Sequence, residues 1–157
     1  MFELSKEGIE KIKTELTRYE VKESAIIPAL YIAQKENNGW VSDAVIHSLS
    51  KVMGLAESRI TEVFKFYTMF NQKPVGKYHV QVCTNISCAL NGGREMGRHI
   101  CKELGVDYGQ VTEDGKFTVD HVECLGSCGT APMMQINEDY HENLTPESAM
   151  TVLRGLK

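Results

Sequence analysis

Apolar positions recur along this chain with two different spacings, and the change falls near residue 73. Before it they stand three and four apart, the repeat of one helical face. Ile9, Ile12, Leu16 and Tyr19 form one such stripe, with Ser5 placed to cap its start. A second helix is expected from about Ala25 to Asn37, with Ile27, Leu30, Ile32 and Ala33 as packing positions. Pro28 is tolerable only in its first turn, and Gly39 stops it. Trp40 and Val41 make a short connection. Ser42 then caps a third helix, Asp43 suits its positive end, and Val45, Ile46, Leu49 and Val52 face inward. Gly54 ends that helix, and a fourth runs from about Ala56 to Phe66. The aromatics Phe64, Phe66, Tyr67 and Phe70 exceed what one helical face can bury. Some are therefore expected in the core and some on a contact surface for a partner chain.

After the polar joint Asn71-Gln72-Lys73-Pro74 the pattern shortens to strands alternating with helices. Lys77 to Cys83 reads as a strand with Tyr78, Val80 and Val82 on one face. Asn91-Gly92-Gly93 leads into a helix from about Arg94 to Leu104, ended by Gly105. The turn Glu113-Asp114-Gly115 precedes a strand from Phe117 to Val122. Met133 to Asn137 and Tyr140 to Glu142 are two further strands. Thr145 caps a last helix with Pro146 at its first position. This order predicts a small open sheet with helices against it. The fold class is therefore α+β: an N-terminal helical bundle over residues 1–72, then an α/β domain over residues 73–157. Pro132 opens the third strand, and the sequence leaves the isomer of the bond before it open.

Composition narrows the functional classes. The chain has 157 residues, 42% of them hydrophobic, enough for a packed core in one domain or two small ones. No apolar run approaches the ~18 residues of a membrane-spanning helix. The first 18 residues carry Glu3, Glu7, Glu10 and Glu15, and read as neither a signal nor a transit peptide. Five cysteines, an odd number, indicate a reducing compartment rather than a disulfide framework. The net charge of −4 disfavours nucleic acid as a partner. Helix, Gly54 turn, helix does outline a DNA-reading motif. Its recognition helix, however, would set Glu57 and Glu62 against Arg59 and Lys65, which leaves little for phosphates.

Candidate chemistry lies in four of the cysteines. Cys83 and Cys88 form C-x4-C, Cys124 and Cys128 form C-x3-C, and 35 residues lie between the pairs. Each pair follows a β-branched run, so each sits where a strand ends and a loop begins. Two such loops can bring four thiolates around one small volume, which means a metal ion or an iron–sulfur cluster. Structural zinc usually takes tighter C-x2-C knuckles, whereas the wider loops here suit a two-iron rhomb with bridging sulfides. Zinc and a redox-active dithiol stay open as alternatives. Thr84, Asn85, Ser87, Gly126, Ser127 and Gly129 fill the loops with small and polar residues, whose N–H groups can approach the sulfurs. Cys101 shares helical spacing with Met96, Ile100 and Leu104 and reads as a buried hydrophobe. His47, His79, His99, His121 and His141 fall on separate elements, against a mixed His and Cys centre.

Four stretches in order carry a resemblance: Phe66-Tyr67-Thr68-Met69-Phe70-Asn71, then Lys73-Pro74-Val75-Gly76-Lys77-Tyr78, then the C-x4-C, then Glu123 to Pro132. From about Ser24 onward the chain resembles the thioredoxin-like [2Fe–2S] ferredoxin subunits of NADH:quinone oxidoreductase, respiratory complex I. Related subunits serve NAD-linked hydrogenases and formate dehydrogenases. The resemblance implies a thioredoxin-like domain over residues 73–157. It implies one [2Fe–2S] cluster per chain on Cys83, Cys88, Cys124 and Cys128, both as cofactor-binding residues and as metal ligands. It also implies an electron-transfer role in an oxidoreductase complex, cytoplasmic and peripheral to the inner face of the membrane, without direct insertion. The partners implied are a flavin- and NADH-binding subunit and other peripheral-arm subunits. This chain has no G-x-G-x-x-G after a strand and no P-loop, so FMN and NAD are expected only through the partner. No NADH oxidation is expected from the chain alone. Residues 73–157 hold eight Lys or Arg against eleven Asp or Glu. An anionic cluster in an acidic domain points to a low potential, in the region of about −400 mV known for plant-type clusters. A diaphorase subunit of a hydrogenase or formate dehydrogenase is the alternative, and a zinc-stabilised interaction or DNA-binding module a more remote one.

Overall fold

A computed structural model of the protein describes residues 2–157. The chain divides into two compact units, one reaching to Pro74 and one running from Val75 to Lys157.

In the first unit the periodic stripes become four helices, α1 (Lys6–Leu16), α2 (Ile26–Glu36), α3 (Asp43–Met53) and α4 (Glu57–Phe66). Ser5 Oγ accepts from Gly8 N at 2.9 Å, and Ser42 Oγ from Val45 N at 3.3 Å, so both expected caps are made. Glu36 at the end of α2 accepts from Ser5 N at 2.8 Å and from its hydroxyl, which ties α1 to α2. Ile12, Leu30, Val45, Leu49 and Ile60 are wholly buried at the centre. Tyr19 departs from the expected stripe. Thr17 closes α1 by bonding Thr14 O through both its N–H and its hydroxyl, so Tyr19 lies beyond the helix and is exposed. A short 3-10 turn, Lys22–Ala25, precedes α2, which places Pro28 in the first turn. Beyond α4, Gln34 clamps the returning chain by accepting from Asn71 N at 2.7 Å and donating to Met69 O at 3.2 Å. The aromatic run splits: Phe64 and Phe70 are buried, while Phe66 and Tyr67 are exposed with their rings edge to face.

The second unit is built on four strands, β1 (Tyr78–Cys83), β2 (Phe117–Val122), β3 (Met134–Ile136) and β4 (Asp139–His141), in the order β2-β1-β3-β4. β1 and β2 run parallel, with Tyr78 opposite Phe117 and Cys83 opposite Val122. β3 is antiparallel to β1, and β4 to β3. The helices are α5 (Ile86–Leu90), α6 (Gly93–Leu104) and α7 (Pro146–Gly155). Val80, Val82, Phe117, Val119, Met134 and Ile136 of the sheet share one core with Met96 and Ile100 of α6 and Met150 and Leu153 of α7. Side chains alternate across a strand. Asp120, Gln81, Gln135 and Tyr140 therefore form one cross-strand row on the opposite face. Thr145 and Ser148 make a reciprocal capping box at the start of α7.

Three expectations shift. α5 is absent from the sequence pattern, because five residues inside a polar loop show no helical period. β3 is shorter than expected, with Asn137 at φ 54° already in the turn. β4 starts at Asp139 and ends at His141, one residue earlier than expected. The Ala131–Pro132 bond is cis.

Candidate metal centre

Parallel pairing decides where the cysteines meet. β1 and β2 end at the same edge of the sheet, so the loops they release start side by side. Cys83 is the last residue of β1, and Cys124 follows β2 by two residues. The ladder continues one step into the loops, with Thr84 N donating to Val122 O at 3.0 Å and Thr84 Oγ1 at 3.1 Å. One residue further, Asn85 Nδ2 donates to Glu123 Oε2 at 2.8 Å, while its Oδ1 accepts from Ile86 N at the start of α5.

The single turn of α5 folds the C-x4-C loop back so that Cys88 faces Cys83. Both are buried against Met133, with Leu125 and Ala131 packed around them. Gly93 at the start of α6 closes against them. A Cβ there would lie 2.8 Å from the carbonyl oxygens of both Cys83 and Cys88, so only glycine fits this approach. Burial pushes the Cys88 thiol up to about 11, helped by its bond with Cys83 and by the nearby Cys128; a backbone bond at Met133 opposes the rise.

The other two thiols form an outer pair. Cys124 and Cys128 are exposed, with their sulfurs 3.8 Å apart. Gly126, at φ 84°, turns the loop so that its N–H reaches Cys124 Sγ at 3.3 Å. Cys128 is raised by its bond and like charge with Cys124, and a bond from Ser87 of the first loop works the other way. Ser87 stands on α5, which packs against the turn Cys128–Thr130, so the two loops lie side by side. Cys83, Cys88, Cys124 and Cys128 are all free thiols. Among the described residues, no three His, Cys, Asp or Glu side chains close on a single ion-sized point. The thiols stand instead as two pairs, one inside and one outside. Two pairs of soft thiol donors on adjoining loops are the donor set that a two-iron, two-sulfide cluster uses, so these residues fit a [2Fe–2S] cluster.

The segment after β3 holds the outer loop in place, a support that no local pattern announces. Tyr140 OH donates to Leu125 O at 2.7 Å. Ser127 Oγ and Thr130 Oγ1 both donate to Glu142 Oε1, the latter at 2.6 Å. Asn143 N donates to Thr130 O at 2.8 Å, and Leu144 N to Pro132 O at 3.0 Å. The donors and acceptors of residues 140–144 thus follow residues 125–132 in step.

Cys101 lies elsewhere, on α6 within the core between sheet and helices, and burial raises its thiol. His79 Nε2 is 2.7 Å from Asp120 Oδ2, and the His121 ring meets Tyr108 edge to face. Arg98 is occupied on the surface by Glu95 at 2.7 Å.

The family described as thioredoxin-like [2Fe–2S] ferredoxin matches residues 12–157. The chain is 40% identical over 158 residues to a subunit of the NADH-quinone oxidoreductase of Rickettsia bellii (strain RML369-C), covering 99% of this chain and 95% of that protein. It is also 40% identical to the mitochondrial NADH dehydrogenase [ubiquinone] flavoprotein 2 of Dictyostelium discoideum, where it spans 64% of the relative's length. Among solved structures, NAD+-reducing [NiFe]-hydrogenase in the air-oxidised state is similar in fold. The TM-score is 0.68 at 22% identity, over 80% of this chain and 22% of the hydrogenase chain.

Proposed function

Because this chain belongs to the thioredoxin-like [2Fe–2S] ferredoxin family, we propose that it is the electron-transfer subunit of an NADH:quinone oxidoreductase. In this reading Cys83, Cys88, Cys124 and Cys128 hold one [2Fe–2S] cluster. Such a cluster, when bound, supplies a low-potential one-electron couple. The observation that carries the proposal is the union of both cysteine pairs at one edge of a parallel strand pair, with one pair buried and the other open.

Each part of the site then has a task. Met133, Leu125 and Ala131 keep water from the inner thiols, and Gly126 N–H bonds an outer sulfur. Exposed Cys124 and Cys128 leave the side by which a partner's redox group approaches. Ile86 and Leu90 flank Cys88 on α5 and are 75% and 83% exposed, apolar groups that a partner chain can cover. That partner carries FMN and binds NADH, since a hydride delivers two electrons and a flavin is needed to divide them. Relatives named as part of an NADH-quinone oxidoreductase and as a ubiquinone-linked flavoprotein favour complex I over a hydrogenase, whose likeness is one of fold. Other peripheral-arm subunits complete the assembly. Among the described residues no helix is long and apolar enough to cross a membrane, which supports a peripheral place. We assign that place to the cytoplasmic face.

Purified protein is expected to contain about two irons and two acid-labile sulfides per chain, with a paramagnetic signal only after reduction by dithionite. NADH alone should leave the colour unchanged, and NADH with the flavin-bearing partner should bleach it. Stoichiometric zinc without labile sulfide, in protein isolated with its native metal, overturns the proposal.

A further inference from the structure

Glu142 stands just past β4 and belongs to neither cysteine loop, yet its carboxylate is bonded into one of them. One oxygen, Oε1, accepts from the hydroxyl of Ser127, which lies between Cys124 and Cys128, and from that of Thr130 at 2.6 Å. The two hydroxyl oxygens are themselves 2.8 Å apart. A carboxylate only accepts hydrogen bonds. The Ser127 and Thr130 hydroxyls thus converge on one carboxylate oxygen, and Thr130 Oγ1 also lies 3.2 Å from Ser127 O within the same turn. Glu142 is itself held in place, because Tyr140 and Asn143 on either side bond Leu125 O and Thr130 O.

We propose that Glu142 is a positioning residue of the metal centre that also holds its reduction potential down. The inference rests on the assignment of the cluster to the four cysteines. A fixed negative charge, held against the chain neighbour of a ligand, disfavours the reduced cluster, which carries the extra electron. Loop geometry and potential are thus set by one side chain, through charge-assisted bonds that are stronger than neutral ones. Because Glu142 is exposed, its electrostatic influence is open to screening by salt.

The test uses the full chain with its cluster, as wild type and as E142Q, E142D and E142A. Redox titration followed by electron paramagnetic resonance, at low and high ionic strength, gives the midpoint potential. Transfer of iron to a chelator gives the rate of cluster release. E142Q keeps an acceptor but loses the charge, and its midpoint is expected above that of wild type, by a margin that narrows as salt is added. E142D retains the charge and is expected to stay closer to wild type than E142Q. E142A removes the carboxylate on which the Ser127 and Thr130 hydroxyls converge and is expected to release its cluster several-fold faster than E142Q. An E142Q midpoint equal to or below wild type, an E142D shift as large as that of E142Q, or slow release from E142A overturns the inference. A wild-type chain without two irons and labile sulfide strikes instead at the cluster assignment on which it rests.

Discussion

Asn85 Nδ2 donates to Glu123 Oε2 at 2.8 Å, and through this bond the loop that follows Cys83 grips the residue that precedes Cys124. The same side chain caps α5 through Oδ1. Asn85→Ala removes both bonds, at a cost of about 1 kcal/mol typical of a lost cap. Cluster release to a chelator should then quicken by about fivefold, the factor that such an energy gives. Asn85→Asp keeps the cap but sets two carboxylates against each other, so release should be at least as fast as from the Ala variant.

The cysteines divide by place in the fold. Cys83→Ala, Cys88→Ala, Cys124→Ala and Cys128→Ala should each lose or gravely damage the cluster. Cys101→Ala should keep it, with a packing loss of about 1–2 kcal/mol for a small buried side chain. Iron content and chemical denaturation of the five variants check this, and loss of iron on changing Cys101 would contradict the ligand set.

Gly93→Ala drives a methyl group to 2.8 Å from the carbonyls of Cys83 and Cys88, atoms that cannot yield without moving the cysteine loop. Destabilisation of about 1–3 kcal/mol is expected from overpacking of this kind, together with reduced iron content. Gly92→Ala, one residue earlier, meets no atom in the space around it but carries the strain of φ 90°, so it should lose stability while retaining iron.

Acid should reveal the turn before β2. The Thr112 hydroxyl, which donates to Asp114 at 2.5 Å, and Lys116 N hold the Asp114 carboxyl below its ordinary value. A depressed carboxyl contributes stability that is present above its unfolded value and is lost as pH falls through the folded one. Asp114→Asn should therefore lower the melting temperature at neutral pH. The gap to wild type should close as the pH is brought below the ordinary range of a carboxyl group. A gap that is constant across the titration would show that charge has no part in it.

Ile86 and Leu90 bear on partner binding. Replacing both with Ser removes apolar groups that are exposed in the free chain, so folding and cluster content should hardly change. Affinity for the flavin-bearing partner should fall by about tenfold or more if they sit near the centre of the interface, since buried anchors there cost upward of about 1 kcal/mol each. Co-purification and titration calorimetry measure the effect, and unchanged affinity places the contact elsewhere.

Features written in neighbouring residues were legible in the sequence. The caps at Ser5, Ser42 and Thr145, the stops at Gly54 and Gly105, and the strand ends that release the cysteine loops are all set by chemistry within four residues. Tyr19 misled because spacing alone does not report that Thr17 has already closed the helix. α5 escaped because one helical turn is too short to show a period. The bonds from Tyr140 and Glu142 span 12 to 15 residues, and they depend on a strand order that no local pattern encodes. The contrast between a buried and an exposed cysteine pair is likewise a matter of packing, since all four lie in similar small, polar surroundings along the chain.

The parallel register of β1 with β2 separates two distances that are easily confused. The loops that carry the two cysteine pairs start side by side because Cys83 stands opposite Val122, whatever the length of chain that crosses between the strands. Extra residues in the segment between α6 and β2 would lengthen that crossing without altering the metal centre. A slip of one residue in the pairing would instead turn β2 over and carry the second cysteine pair out of reach. The gap between the two pairs is therefore a free parameter, while the four and three residues inside them are not. A search for comparable centres in other chains should fix the two short spacings, demand a strand before each, and leave the interval between them unbounded.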